Sequence, residues 1–573
     1  MHRTLAAFLL VAAALPARAA DDPLRFVPKH ADFALRIDSP RKLVDAVIAI
    51  EPLLALQKFA AVREALESTN TRRARQFLAY YEKELGLAWP EMLDKLAGGG
   101  AVLTGKFGKN QPGLLILQGT DAEVTRKTLK LARGILEREL SQREDGGTVE
   151  TKEYRGVESV KAGNDLYFAQ IGSAVAISNK PEPIKLAIDL AQDGPAESLA
   201  TAKGPAEARK LVPADALATL WVSLEAAQKS DQGKVILAEQ KGDIFQLLIG
   251  GGFLDVLGRS PFLAAGLTKQ KDGMTLTVRT PKGRDASPQG VGLHLAPEGQ
   301  PGCLPLLEPA DVIYSTSFHL DLGTLWTKRE TLLTEGVRKE LEGADKQFGR
   351  FLAGRKMSEL LTAAGPYHRF VAVAQAQTGY AKYPEQTIPA FAFVSTVRDP
   401  SFPKAMEAVL RATALVAGAS YKLKMTDEEI NGVKLVCYRF PDTKAMMAPG
   451  GDNYVLFNYS PCFAIVGDQF FAASTVELGR EMVALLQKSP PSAAPATTLG
   501  SQSKVYASGG AAVAKAFAET LTTQFIIDRA ISHEDAKREV AGLIEWLRGL
   551  GTVSLTGDYR ATEFQYDVRW TIK

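Results

Sequence analysis

Cysteine and histidine are the first scarcities in this chain. Three cysteines stand among 573 residues, too few for a disulfide scaffold or a four-cysteine zinc site. The histidines are six and scattered. Beyond the N-terminal segment the nearest two, His294 and His319, lie 25 residues apart, so no His-Glu-x-x-His pair or other local metal motif exists. No metal and no cofactor are expected. Charge of one sign is also missing: 68 Lys and Arg face 65 Asp and Glu, for a formal +3. A chain this near neutrality has no global field to draw in nucleic acid. The cluster Arg72, Arg73 and Arg75 sits among Glu64, Glu67, Glu82 and Glu84 and reads as a solvated helix face.

Long hydrophobic runs are absent from the body of the chain. The best, Ile244 to Leu257, is broken by Gln246, three glycines and Asp255, and falls short of the roughly 20 apolar residues of a membrane helix. No integral membrane anchor is expected. The N-terminus differs. Arg3 precedes the 11-residue apolar run Leu5–Leu15, Pro16 breaks it, and Ala17-Arg18-Ala19 has the small-x-small pattern of a cleavage site. Residues 1–19 read as a signal peptide cut near Ala19, which sends the mature chain to the periplasm or the exterior.

Catalytic motifs fail on inspection. Gly100 to Lys106 has phosphate-loop spacing, but Phe107 stands where Ser or Thr must hold magnesium, and the segment reads as a strand. Ser-x-x-Lys occurs at Ser39, Ser401 and Ser501 without the companion motifs of penicillin-recognising enzymes. The first two sit where helices begin, which suits capping. No Gly-x-Ser-x-Gly elbow appears.

What the chain does have is self-similarity. Gly113–Gln118 (GLLILQ) and Pro389–Val394 (PAFAFV) are apolar runs of strand length, each followed by a helix-start signal, at Thr120–Glu123 and at Asp399-Pro400. From Leu114 to Gly156 is 42 residues, and from Ala390 to Gly432 is also 42. Both glycines open a Gly-Val strand, and each copy continues with a hairpin turning at Gly172 or Gly467 and then a helix. The openings PAD at 213–215 and 309–311 match, as do the closing hairpins that end at Arg279 and Arg569. The helical stretch 41–97 has its partner at 322–364. The reading is α+β, internally duplicated, with antiparallel sheets and helices packed on one face. The first half spans 20–285, a Gly/Pro-rich linker 286–307, and the second half, repeating the first, 308–573.

This PAD-strand opening, Gly-Val strand and doubled α+β layout resembles an uncharacterised family of large exported proteins of planctomycete-type bacteria. That resemblance covers most of the mature chain and implies no activity, ligand or site.

In the repeat alignment Lys161 corresponds to Cys437 and Tyr167 to Cys462. Since Val160 and Tyr167 flank the short turn KAGNDL, Cys437 and Cys462 are expected on adjacent antiparallel strands, as a disulfide or as two buried thiols. Cys303, in the linker, is left unpaired. Two functions remain. The first is an exported, non-enzymatic binding or structural protein whose halves form a cleft for a protein or envelope ligand, with Trp221, Trp326, Tyr80 and Tyr81 as aromatic candidates. The alternative is a hydrolase acting on an envelope polymer or peptide, which would need His319 or His368 beside a serine and a carboxylate in a cleft.

Overall fold

The computed structural model describes residues 22–142, 147–231, 233–234, 256–286, 293–349, 354–375, 378–380, 386–421, 423–441 and 456–572, together with 248 and 384. Residues 1–19, read above as a signal peptide cut near Ala19, and most of Ile244–Leu257 lie outside the described residues.

Among the described residues, ten strands precede residue 281: β1 (Phe33–Ile37), β2 (Ala101–Gly105), β3 (Gly113–Gln118), β4 (Val149–Tyr154), β5 (Val157–Ala162), β6 (Leu166–Ile171), β7 (Ala174–Ser178), β8 (Ala218–Ser223), β9 (Phe262–Gln270) and β10 (Gly273–Thr280). Ten follow: β11 (Val312–His319), β12 (Ala364–Val373), β13 (Ala390–Val397), β14 (Lys424–Ile430), β15 (Val433–Arg439), β16 (Cys462–Val466), β17 (Gln469–Ala473), β18 (Leu499–Tyr506), β19 (Thr552–Tyr559) and β20 (Phe564–Thr571). All twenty belong to one antiparallel sheet. Its pairings give the order β4-β5-β6-β7-β3-β2-β1-β8-β9-β10-β20-β19-β18-β11-β12-β13-β17-β16-β15-β14. Read outward from the β10–β20 pair, the order on one side is the order on the other.

Local chemistry explains the elements. The β4–β5 and β14–β15 hairpins turn at Arg155-Gly156 and Asn431-Gly432, where all four residues have positive φ. That is the mirror-image turn whose twist suits a two-residue hairpin, and it calls for glycine at the second position. The 20-residue helix Ala122–Ser141 starts at Asp121, whose carboxylate accepts from the Glu123 and Val124 amides, satisfying two orphan donors. Ser39 likewise caps the helix that follows it. At the helix starting with Ser401 it is Asp399 that accepts, from the Ser401 amide.

The helices that matter below are α1 (Pro40–Ile48), α2 (Glu51–Ala55), α3 (Ala60–Glu67), α4 (Thr69–Leu85), α5 (Trp89–Ala97), α6 (Ala122–Ser141), α7 (Pro181–Asp193), α8 (Lys203–Leu211), α9 (Leu322–Thr327), α10 (Met357–Ala363), α11 (Ser401–Tyr421), α12 (Val476–Lys488) and α13 (His533–Gly549). Two cores lie on one face of the sheet. Ile184, Ala187 and Ile188 of α7 pack on Ile116, Ala169 and Ala176, and Leu478, Met482 and Val483 of α12 pack on Leu435, Ala464 and Phe471. Each such large side chain, fully buried, contributes about 1.5–3 kcal/mol of transfer free energy.

At the two ends of the sheet a second layer covers the other face. There α6 lays Leu129, Leu136 and Leu140 on Val160, Phe168 and Ile177, and α11 lays Phe402, Met406 and Leu410 on Val436, Phe463 and Phe470. Between those ends, that face is a row of apolar side chains, half-buried or exposed. The chain from 293 to 307 is not a free tether: Leu293, Ala296, Leu304 and Leu307 are buried, and Leu304 O accepts from Gln502 Nε2 at 2.8 Å. No helix among the described residues is long and apolar enough to cross a membrane.

Candidate functional site

A cleft with an aromatic floor lies where helices from the two ends of the sequence meet. Its walls are α2 and α3 on one side and α13 on the other, and it encloses about 560 Å³. Trp546 is its anchor. The indole Nε1 donates to Pro52 O at 2.8 Å, and the ring meets Phe59 edge to face with centroids 6.1 Å apart. Across the same seam the Ala60 amide donates to Glu539 Oε1 at 3.3 Å. The hydrogen bonds fix the Trp546 ring, so its face is available without further ordering.

The rim is charged. Arg538 pairs with Asp535, and Arg548 with Glu545. Lys58 and Arg63 also line the cleft, and no ion pair involves either among the described residues. Glu51, Glu539 and Glu545 line the same cleft, so the rim carries both signs over an apolar floor, which suits a ligand with a flat or aliphatic body and a polar end. Sequence reasoning did not find this site. Phe59 and Trp546 sit in unremarkable helical stretches, and nothing local says that those helices meet.

The aromatics named from sequence lie elsewhere. Trp221 packs into the cores beneath α8. Trp326 is covered by the Arg329 guanidinium, 4.6 Å from the ring centroid. Tyr80 and Tyr81 contact each other on α4, away from the cleft.

His319 and His368 lie on the neighbouring strands β11 and β12 but project from opposite faces, His319 beside Tyr367 and His368 beside Phe318. Both are buried. The His319 Nδ1 faces Leu293 O at 3.2 Å and His368 Nε2 faces Leu320 O at 2.9 Å. A carbonyl only accepts, so each proton sits on that nitrogen. Burial pushes the His319 pKa down to about 4 and lowers that of His368 as well. His368 stacks on Phe393 and packs against Phe318, and its Nδ1 has no hydrogen-bond partner among the described atoms. This is the bonding of core histidines, without the cleft that general-base work needs.

Cys437 and Cys462 are direct register partners on β15 and β16. Both are buried free thiols in the same core cluster. Burial raises the Cys437 pKa to about 11 and drives that of Cys462 higher still. A β-carbon added at Gly479 of α12 would come within 2.2 Å of Cys462 Sγ, so glycine is what lets the helix close over the sulfur. Cys303 is buried too, its pKa raised to about 12 by desolvation. None of the three is poised as a nucleophile. Among the described residues no group of three or more His, Cys, Asp or Glu is placed to hold a metal ion.

Arg369 carried no signal in the sequence. It is 1% exposed, and its guanidinium reaches Gln469 Oε1, Ser489 Oγ at 3.2 Å and Pro305 O at 3.4 Å. Burial lowers its pKa to about 10. Its role is to tie the segment around Pro305 to β12, β17 and the end of α12.

With this geometry in place, the chain was compared with known proteins. Residues 97–250 match the family described as Protein of unknown function (DUF3352). The DUF3352 match begins at the last residue of α5 and takes in β2 to β8, which is most of the N-terminal side of the sheet. It stops short of the β10–β20 junction and does not include the cleft residues. No curated protein matches. Among solved structures, three crystal forms of TP0453 align: form I at 11% identity, form III at 10% and form IV at 12%. They cover 46%, 48% and 45% of this chain and 79%, 85% and 80% of theirs, with TM-scores of 0.23, 0.25 and 0.24. A likeness at that level adds nothing to the reading of the DUF3352 segment or of the rest.

Proposed function

We propose that this chain is an exported, non-enzymatic binding protein. Its two duplicated halves, 20–285 and 308–573, are joined through the linker 286–307 and hold a small amphipathic ligand between them. The observation that carries this is the Trp546–Phe59 cleft, built half from α2 and α3 and half from α13. Ligands often bind where two domains meet, over an apolar floor with a few polar groups at the edge. Two features support the duplication. The strand order repeats on either side of the β10–β20 pair. Arg279 and Arg569 close the matching hairpins, and two residues before each stand Thr277 and Asp567, which face each other across that pair. Matched residues meeting face to face are what a two-fold relation between the halves produces.

The test is a thermal-shift screen of the mature protein against aromatic and aliphatic carboxylates, sugars and peptides. A ligand present at 100 times its Kd stabilises by about 2.7 kcal/mol, enough for a clear rise in Tm. Trp546→Ala should abolish that shift while leaving the unliganded Tm within a few degrees. No shift with any compound, or a shift that Trp546→Ala leaves intact, refutes the cleft as the site.

A further inference from the structure

We propose that the uncovered apolar face of the sheet is a second site, a trough for the hydrocarbon chain of a long-chain anionic amphiphile. Register partners point to the same face of an antiparallel pair, so the face can be followed strand by strand. Val505 stands beside Val553, Val553 beside Trp570, and Trp570 beside Met274. One row down, Leu555, Val568 and Leu276 are consecutive neighbours. In the other direction Tyr314, Phe370, Phe391 and Phe393 extend the same face over β11, β12 and β13. Val505 is 47% exposed, Phe391 45% and Leu555 44%. The opposite side of the same central strands carries Thr275, Thr277, Asp567, Arg569, Ser554 and Thr556. The centre of the sheet therefore turns its polar side toward the core layer and its apolar side outward, where among the described residues nothing covers it. An apolar sheet face calls for an apolar cover.

Three features choose the occupant. The first is charge. From β9 to β13 this face carries a single ionisable side chain of full charge, Lys269, exposed at the end of β9 beside Met274. No ion pair involves Lys269 among the described residues. One free cation at the margin of an uncharged face complements an anionic head with an alkyl tail. The second is hydrogen bonding. The backbone groups of these strands are spent in the ladder, so a peptide laid across them would lose its own hydrogen bonds to water. A hydrocarbon has none to lose. The third is shape. Helices α6 and α11 stand on this same face at its two ends. Helices are about 10 Å thick, as deep as the spacing at which two sheets stack. They wall the open face at its two ends, and the strands between them, about 4.8 Å apart, leave a floor long enough for an extended hydrocarbon chain.

The experiment is calorimetric titration of the full-length mature protein with saturated fatty acids of increasing length, alongside alcohols of the same length. Affinity should rise about fourfold per methylene, the factor that corresponds to about 0.8 kcal/mol of burial. Leu555→Asp and Leu276→Asp, both at exposed positions, should weaken binding at least tenfold. Ile527→Asp, exposed on a helix outside the trough, should not. Lys269→Ala should weaken the acids and leave the alcohols unchanged. Affinity independent of chain length, or insensitive to both trough variants, overturns the proposal. So does a concentration-dependent dimer, or vesicle binding, that Leu555→Asp abolishes in place of fatty-acid binding. Loss of fatty-acid binding with Trp546→Ala alone moves the chain into the cleft. It overturns the trough and leaves the binding function standing.

Discussion

Asp567 holds the point at which the sheet is joined from its two sides. It accepts from Thr277 Oγ1 at 2.7 Å, from Arg279 Nη1 at 3.2 Å, and from Gln565 Nε2. The side chains of Arg279 and Asp567 are 13% and 25% exposed. Asp567→Ala would leave a mostly buried guanidinium without its acid and a buried threonine hydroxyl without its acceptor. Breaking a fully buried pair costs about 3–5 kcal/mol because a charge is stranded. Residual solvent access at Asp567 screens part of that, so the expected loss is about 2–3 kcal/mol. The assay is urea unfolding, read as the fall in midpoint at constant slope. Asp567→Asn, which keeps an acceptor for Thr277, should recover about 1 kcal/mol of the loss. A double-mutant cycle with Arg279→Met isolates the pair, and the two losses should fall short of additivity by at least about 1 kcal/mol. A cost below about 0.5 kcal/mol for Asp567→Ala, or strict additivity in the cycle, would refute the argument that this junction is a tightly held part of the fold.

Two other outcomes follow from buried side chains. Cys437 and Cys462 face each other as free thiols, and incubation with an external disulfide under partly unfolding conditions, which relieve the burial that raises their pKa values, is expected to link them by exchange. Unreduced, denatured protein should then show one free thiol, Cys303, and a titration finding three sinks the bridge. His319 concerns pH. Its folded pKa, about 4, lies below the unfolded value near 6.5. The unfolded chain therefore takes the proton first, and stability falls as pH drops from about 6.5 to 4 and is fully present above that window. The size is roughly 3 kcal/mol. His319→Asn should flatten the dependence of the urea midpoint between pH 6.5 and 4.5, and an unchanged slope would show that His319 is not its source.

Much of the local architecture was legible. The hairpin turns at Gly172 and Gly467 follow from a glycine between two apolar runs, and both have positive φ; Gly156 and Gly432, read as opening a strand, instead complete the turns before β5 and β15, and within the Thr120–Glu123 helix start it is Asp121 that caps. The α+β class follows from alternating hairpins and helices. The Gly100–Lys106 segment, read as a strand and not as a phosphate loop, holds strand β2 at Ala101–Gly105. The candidate site was not legible. Phe59 and Trp546 are each one aromatic on an amphipathic helix, a pattern that usually means core. Their meeting depends on where α3 and α13 are carried by elements far away in the chain. His319 and His368 were named as histidines that a hydrolase would need in a cleft, and only packing shows that both are buried and that backbone carbonyls take their protons.

The sequence by itself determined the elements and their pairings with near neighbours, because turns, caps and two-residue periodicity act over a few residues. The tertiary structure decided that β10 and β20 join twenty strands into one sheet. Any strand edge offers the same amide and carbonyl groups, so the choice of partner rests on global geometry. It also decided which apolar face is covered. A strand such as β19, with Val553 and Leu555 on one side and Ser554 and Thr556 on the other, declares an apolar face. Whether a helix or open space lies above that face depends on where α6 and α11 end, and no local pattern encodes that.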